Sequence, residues 1–189
     1  MKKIVLLSIA LSVLIISCKQ KAELKPVKFG GEAQGTYYAV TYYSKTGENF
    51  QPQIDSILKA FNFSASLWEP NSTICKVNRN DSLIGHDSIF VDIFNKSAAI
   101  SEKTDGYFDF TVGQLVNAWG FGFESRAKLN KHIVDSLLQY VGYKNINISN
   151  GKVIKSNPNI KIDFNAIAQG YSVDILAKFL RDKGIDNYL

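Results

Sequence analysis

Soft metal ligands are scarce in this chain: two cysteines, two histidines and one methionine in 189 residues. His86 and His132 stand far from any cysteine pair, which argues against a zinc site. Two cysteines, one of them near the N-terminus, cannot build a disulfide framework. No GxGxxG follows a strand-like run and no GxxxxGK[S/T] occurs, so the usual dinucleotide and phosphate cradles are missing. No Ser-His-Asp order suggests itself, and no basic run interleaves with aromatics, so nucleic acid is not favoured as a partner. The longest apolar run, Ile4 to Ile16, is shorter than the roughly 20 residues that a membrane-spanning helix needs.

That run still carries information. Lys2 and Lys3 precede it and Ser17-Cys18 follow it, the order of a signal peptide over residues 1–17. Ile15-Ile16-Ser17-Cys18 resembles a lipobox, which makes Cys18 the expected lipidation site and residues 18–28 a lipidated tether. The alternative is an ordinary secretory signal with an incidental cysteine. Stable anchoring takes more than one acyl chain, as a lipoprotein's modified cysteine carries. The expected address is extracytoplasmic, on the membrane. Lys2 and Lys3 hold two of the +5 formal charges, leaving a mild +3. Lys19, Lys21, Lys25 and Lys28 either hover over an anionic membrane surface or simply solvate the tether. Cys75, between Ile74 and Val77, reads as half-buried packing.

The chain as a whole is 46% hydrophobic, ordinary for one domain, here residues 29–189, with mixed strands and helices and no βαβ alternation: an α+β class. Tyr37 to Tyr43 is β-branched and aromatic and predicts a strand. The glycine-rich residues before it predict a bulge or a close ligand approach. Helical spacing predicts helices over 53–63, 72–78, from Asp87, over 111–118 and 130–140, and from Ala166 to Lys183. In the 130–140 helix, Ile133, Val134, Leu137, Leu138 and the adjoining Val141 are expected to face inward, with Gly142 as the stop. Short strands are expected at 145–148, 152–154, 160–164 and 187–189, with a turn at Asn150-Gly151.

Two stretches concentrate chemistry. Thr104 to Phe123 combines four glycines, Asp105, Asp109 and several aromatic rings. Flat apolar faces, close backbone approach and oxygen ligands suit a large planar ligand with a polar tail. A buried aromatic turn between two helices is the plain alternative. Asp163 to Gly170 runs from a strand into a helix, where free N–H groups and the helix dipole favour a phosphate. Asp163 or Asn165 could equally serve as an ordinary N-cap.

Four stretches together resemble the ApbE family, the FAD:protein FMN transferases. They are Gly31-Glu32-Ala33-Gln34-Gly35-Thr36; Trp68-Glu69-Pro70-Asn71-Ser72-Thr73-Ile74 with Asn78; Thr104 through Gly122; and Asp163 through Tyr171 with Asn187-Tyr188-Leu189. The resemblance implies an ApbE-like mixed sheet with packed helices, and it implies site roles. Gln34 falls where a methionine commonly contacts the flavin, and Trp68 where an aromatic does. Tyr107, Phe108 and Asp109 occupy the flavin-binding segment. Asp163 is expected to hydrogen-bond FAD, Gln169 to stand where a charged residue is usual, and Ala166 to give its backbone carbonyl to Mg²⁺.

What the resemblance implies for function is Mg²⁺-dependent transfer of FMN from FAD to a threonine or serine hydroxyl of an acceptor protein, with release of AMP. Implied acceptors are flavoprotein subunits of Nqr- and Rnf-type redox complexes. The rival expectations are an FAD pyrophosphatase and a flavin-storage lipoprotein. The family continues past the Asn-Tyr-Leu strand to further metal ligands, so residues 29–189 are expected to be the N-terminal part of such a domain, truncated at the C-terminus.

Overall fold

A computed structural model describes residues 23–81, 83, 87–122 and 128–189. The expected signal segment, Cys18 and His86 lie outside them. Strand β1 (Lys25–Ala33) and strand β2 (Thr36–Ser44) form an antiparallel hairpin with Ala33 opposite Thr36. The two residues between them, Gln34 and Gly35, both have positive φ, 54° and 73°. That is the geometry of a type I′ turn, whose twist matches the flanking strands. The expected single strand with a bulge is therefore a hairpin. Its turn was hidden because a non-glycine residue, not the usual Asn or Asp, occupies the first left-handed position. Residues 25–28, assigned above to the tether, are paired within β1.

Helix α1 (Gln51–Ala65) carries Pro52 in its first turn, where the missing N–H costs nothing. Ile54, Leu58, Phe61 and Ala65 line one face at helical spacing. The short helix α2 (Thr73–Asn78) is capped by Ser72, whose Oγ accepts from Cys75 N–H. In α3 (Ser88–Lys103), Asp87 caps by accepting from Phe90 N–H at 2.9 Å. After α4 (Gly113–Ala118) comes α5 (Lys131–Leu138), capped by Asn130. Helix α5 ends two residues before the expected Tyr140 and buries none of its residues. Of the set expected to face inward, Ile133, Val134, Leu137 and Val141 are half-buried while Leu138 is exposed, and the helix lies beside α4.

A 3₁₀ turn at Tyr143–Asn145 leads into the hairpin of β3 (Ile146–Ser149) and β4 (Lys152–Lys155), with the expected Asn150-Gly151 turn at positive φ. The final helix, α6 (Asn165–Asp182), ends before Gly184 at φ 74°. Beyond it, Leu189 N–H and C=O exchange two 2.8 Å bonds with Thr41 of β2, placing the last residues along the first hairpin.

Two apolar clusters make the core. One gathers Phe90, Ile93, Phe94, Phe110, Ile160, Ile162 and Phe164; the other joins Val40, Tyr42, Phe50, Ile54 and Leu180. Helices α1 and α6 contribute to both, α1 through Phe61 and Ile54, α6 through Tyr171 and Leu180. They tie the first hairpin to the rest and present their facing ends to one cleft.

Candidate functional site

The expected strand at 160–164 is not a full strand, and what replaces it shapes the site. Lys161 makes one parallel bridge to Val112, its carbonyl accepting from Gly113 N–H at 3.1 Å while Asp163 N–H donates to Phe110 O at 2.8 Å. Gly113 is required here, because a Cβ on it would meet Lys161 Cβ and O at 2.9 Å. Backbone direction alternates along an extended chain, so Ile162 faces the other way. Its C=O and N–H meet the side-chain amide of Asn78, each at 2.8 Å.

This segment feeds α6. Asp163 is only 6% exposed, and burial pushes its carboxyl up, opposed by hydrogen bonds from Asn165. Its Oδ1 accepts from Asn165 N–H at 2.7 Å and its Oδ2 from Asn165 Nδ2 at 3.3 Å. Phe164 carbonyl takes the N–H groups of Ile167 and Ala168. Of the first turn, Ala166 N–H is the donor left without a protein acceptor among the described residues. The helix start therefore offers an anion one free donor, fewer than its position alone implies.

Between the hairpin turn, the C-terminal half of α1 and the N-terminal half of α6 lies a cleft of about 620 Å³. Gln34, Gly35, Phe61, Asn62, Ala65, Ser66, Trp68, Glu69, Asn165, Ala168 and Gln169 line it. The Trp68 backbone is held by its neighbours: its N–H donates to Ser66 Oγ at 3.2 Å, and Ser72 Oγ donates to Ser66 O at 2.7 Å. Arg79 donates to Pro70 O at 2.8 Å, closing the loop from the far side. The Trp68 residue is nonetheless 66% exposed, so its ring supplies a wall to the open side of the cleft. Four carboxamides line the cleft (Gln34, Asn62, Asn165, Gln169) against one carboxylate, Glu69. Amides both donate and accept, which suits the edge of a neutral heteroaromatic or a polyol. Gln34 Nε2 is buried without a partner among the described residues, a donor ready for a ligand acceptor.

The residues singled out from sequence divide three ways. Gln34, Trp68 and Gln169 share this cleft, and Ala166 is exposed on the same first turn of α6. Asp163 lines a neighbouring pocket of about 210 Å³ with Asn78, Arg79, Asn117 and Lys161. Tyr107, Phe108 and Asp109 line neither pocket: Tyr107 is 98% exposed, and Phe108 packs on the main core cluster. Asp109 Oδ1 accepts from Thr111 N–H at 2.8 Å and Oγ1 at 2.6 Å, and its Oδ2 from Tyr143 N–H at 2.8 Å. In this structure it fastens one loop to another. Asn62, Ser66 and Asn165 were not foreseen, though their signal was present. Asn62 and Ser66, like Asn165 and Gln169, are four residues apart, so each pair shares a helix side bordering buried Phe61 or half-buried Ala168.

Metal donors are sparse. Among the described residues no group of three or more His, Cys, Asp or Glu side chains could hold an ion. Ala166 offers a backbone carbonyl, and the nearby Asp163 carboxylate is engaged by Asn165.

The family model described as "ApbE family" matches residues 34–189. The FAD:protein FMN transferase of Vibrio cholerae serotype O1 is 28% identical over 192 residues, covering 97% of this chain and 57% of that protein. The enzyme of the same name from Haemophilus influenzae is 28% identical over 206 residues, covering all of this chain and 59% of its own length. Among solved structures, the flavin transferase ApbE from Vibrio cholerae superposes with a TM-score of 0.77 at 26% identity, over 87% of this chain and 56% of that one. The apo flavinyl transferase ApbE of Pseudomonas stutzeri gives 0.79 at 24% identity and supports the fold, over 88% of this chain and 56% of that one. The chain thus spans a little over half the length of the relatives it matches.

Proposed function

We propose, from the premise that this chain belongs to the ApbE family, that it forms part of an FAD:protein FMN transferase and that the 620 Å³ cleft receives FAD. The observation that carries this reading is the convergence of Gln34, Trp68 and Gln169, far apart in sequence, on one cleft rich in carboxamides. In the proposed reaction, the hydroxyl oxygen of an acceptor threonine or serine attacks the phosphorus on the FMN side of the pyrophosphate. A new phosphoester bond forms, the P–O–P bond breaks, AMP leaves with the bridging oxygen, and the hydroxyl proton is released. Trp68 would stack on the ring system, and the carboxamides would fix its edges and exclude competing orientations. Ala166 would give its carbonyl to Mg²⁺, which would supply neutralisation of the pyrophosphate charge when bound.

The reading extends to address and partner. Residues 1–17 would direct export and Cys18 would carry the lipid. Among the described residues no helix is long and apolar enough to cross a membrane. The acceptors would be extracytoplasmic flavoprotein subunits of Nqr- and Rnf-type complexes. Cys18→Ala is expected to move the protein from the membrane fraction to the soluble extracytoplasmic one. Retention in the membrane fraction would remove the anchor from this account.

The transfer reading is tested by incubating the protein with FAD, Mg²⁺ and an acceptor domain, then measuring flavin fluorescence on the denatured acceptor. A fluorescent acceptor, with AMP in stoichiometric amount, is the expected result. Free FMN with a dark acceptor would establish a pyrophosphatase instead, and bound but uncleaved FAD would establish a storage protein.

A further inference from the structure

We propose that Asn78 is a positioning residue for the cleft: its side-chain amide stands in for a missing neighbouring strand and sets where α6 begins. The inference rests on the cleft being the FAD site. Among the described residues, the extended segment 161–163 has a backbone partner on one side only. Lys161 C=O and Asp163 N–H are satisfied by Gly113 and Phe110. Ile162, pointing the opposite way and fully buried, would leave both its N–H and C=O unpaired. Asn78 Nδ2 donates to Ile162 O and Asn78 Oδ1 accepts from Ile162 N–H, each at 2.8 Å. A carboxamide matches a peptide edge because it holds one acceptor and a donor side by side.

The amide is itself anchored, as it closes α2. Lys161 Nζ donates to the Asn78 carbonyl, so the clamp is gripped at both ends by the same short segment. Lys155 Nζ donates to Val77 O at 2.7 Å and to Asn80 Oδ1 at 3.2 Å. Burial and the neighbouring Lys161 ammonium push Lys155 down to about 8. Lys155 thus caps the same helix end through hydrogen bonds to Val77 and Asn80 rather than to residues 161–163. From Ile162 the chain reaches Asp163 in one residue and Asn165 in three, and Asn165, Ala168 and Gln169 line the cleft. A shift of Ile162 passes directly to that wall, because Asp163 and Phe164 bind the first-turn N–H groups.

Asp cannot donate to the Ile162 carbonyl, and Ala can neither donate nor accept. The test compares Asn78→Ala, Asn78→Asp and Lys155→Met with the wild type, at a temperature where circular dichroism shows all four folded. Dissociation constants for FAD come from flavin fluorescence. Both Asn78 variants are expected to bind FAD about tenfold or more weakly, Asn78→Ala through two lost hydrogen bonds and Asn78→Asp through one lost bond with a carboxylate oxygen left against the Ile162 carbonyl. Lys155→Met is expected to lower the thermal midpoint and leave FAD affinity within about twofold of wild type. Wild-type affinity in Asn78→Ala, or an equal loss in Lys155→Met, would reduce Asn78 to a merely structural role.

Amide exchange separates this proposal from the reading beneath it. In Asn78→Ala, without ligand, the Ile162 N–H and the first turn of α6 are expected to lose protection. Unchanged protection there would overturn the positioning role even if the wild type bound no FAD. Absence of FAD binding by the wild type, with that protection lost, would overturn the FAD site instead.

Discussion

Asp109→Ala is expected to lower both stability and FAD affinity, the two falling together. The Asp109 carboxylate accepts three hydrogen bonds, two from Thr111 and one from Tyr143 N–H. Thr111 Oγ1 in turn accepts from Gly142 N–H at 2.8 Å, so the pair fastens the chain at 142–143 to the aromatic stretch. Thr111 is fully buried, and its hydroxyl proton would be stranded without the carboxylate. Losing charge-assisted bonds and leaving their donors unpaired costs about 2–4 kcal/mol, or roughly 4–16 °C in thermal midpoint for a domain of this size. Asp105 is exposed in a left-handed turn at φ 48°, where asparagine is also tolerated. Asp105→Asn is therefore expected to change neither quantity measurably. Equal effects from the two variants, in thermal melts and FAD titrations run side by side, would contradict the fastening role. Loss of affinity in Asp109→Ala with an unchanged melt would instead support direct contact with flavin.

Trp68→Ala is expected to weaken FAD binding by removing a wall of the cleft. Its residue is largely exposed, while its backbone is held by Ser66 and the loop around it by Ser72 and Arg79. Stacking of a heteroaromatic on an aromatic side chain is worth about 1–3 kcal/mol, so the dissociation constant should rise by about 5- to 150-fold. Trp68→Tyr, which keeps a flat face, should recover most of that loss. An affinity within about threefold of wild type in the alanine variant would remove Trp68 from the site.

Much of this architecture was legible in the sequence, because it follows from local rules. Asp87, Asn130 and Ser72 cap helices as short polar side chains do, and each accepts the N–H three residues on. Asn150-Gly151 turns β3 into β4 by the ordinary type I′ preference. What was not legible depends on partners distant in sequence. The turn at Gln34-Gly35 puts a non-glycine residue at φ 54°, a conformation that pairing between β1 and β2 enforces. The strand-like run at 160–164 reads as β by composition. Its neighbours are one bridge from Val112 and an amide 84 residues away, and neither has a local signature. Helix α5 has an amphipathic pattern that is only half-buried: Ile133, Val134 and Leu137 are partly covered and Leu138 is exposed. Asp109 illustrates the same limit within the site: its position was noted, but its engagement with Tyr143 appears only once the chain is folded.

The central claim is that the cleft between the first hairpin, α1 and α6 holds FAD. Hydrogen–deuterium exchange of the protein with and without saturating FAD and Mg²⁺ tests it most directly. Protection is expected on three separated segments: Gln34–Gly35, Phe61–Glu69 and Asn165–Gln169. Protection confined to other segments, or none at FAD concentrations that saturate flavin fluorescence, would contradict it.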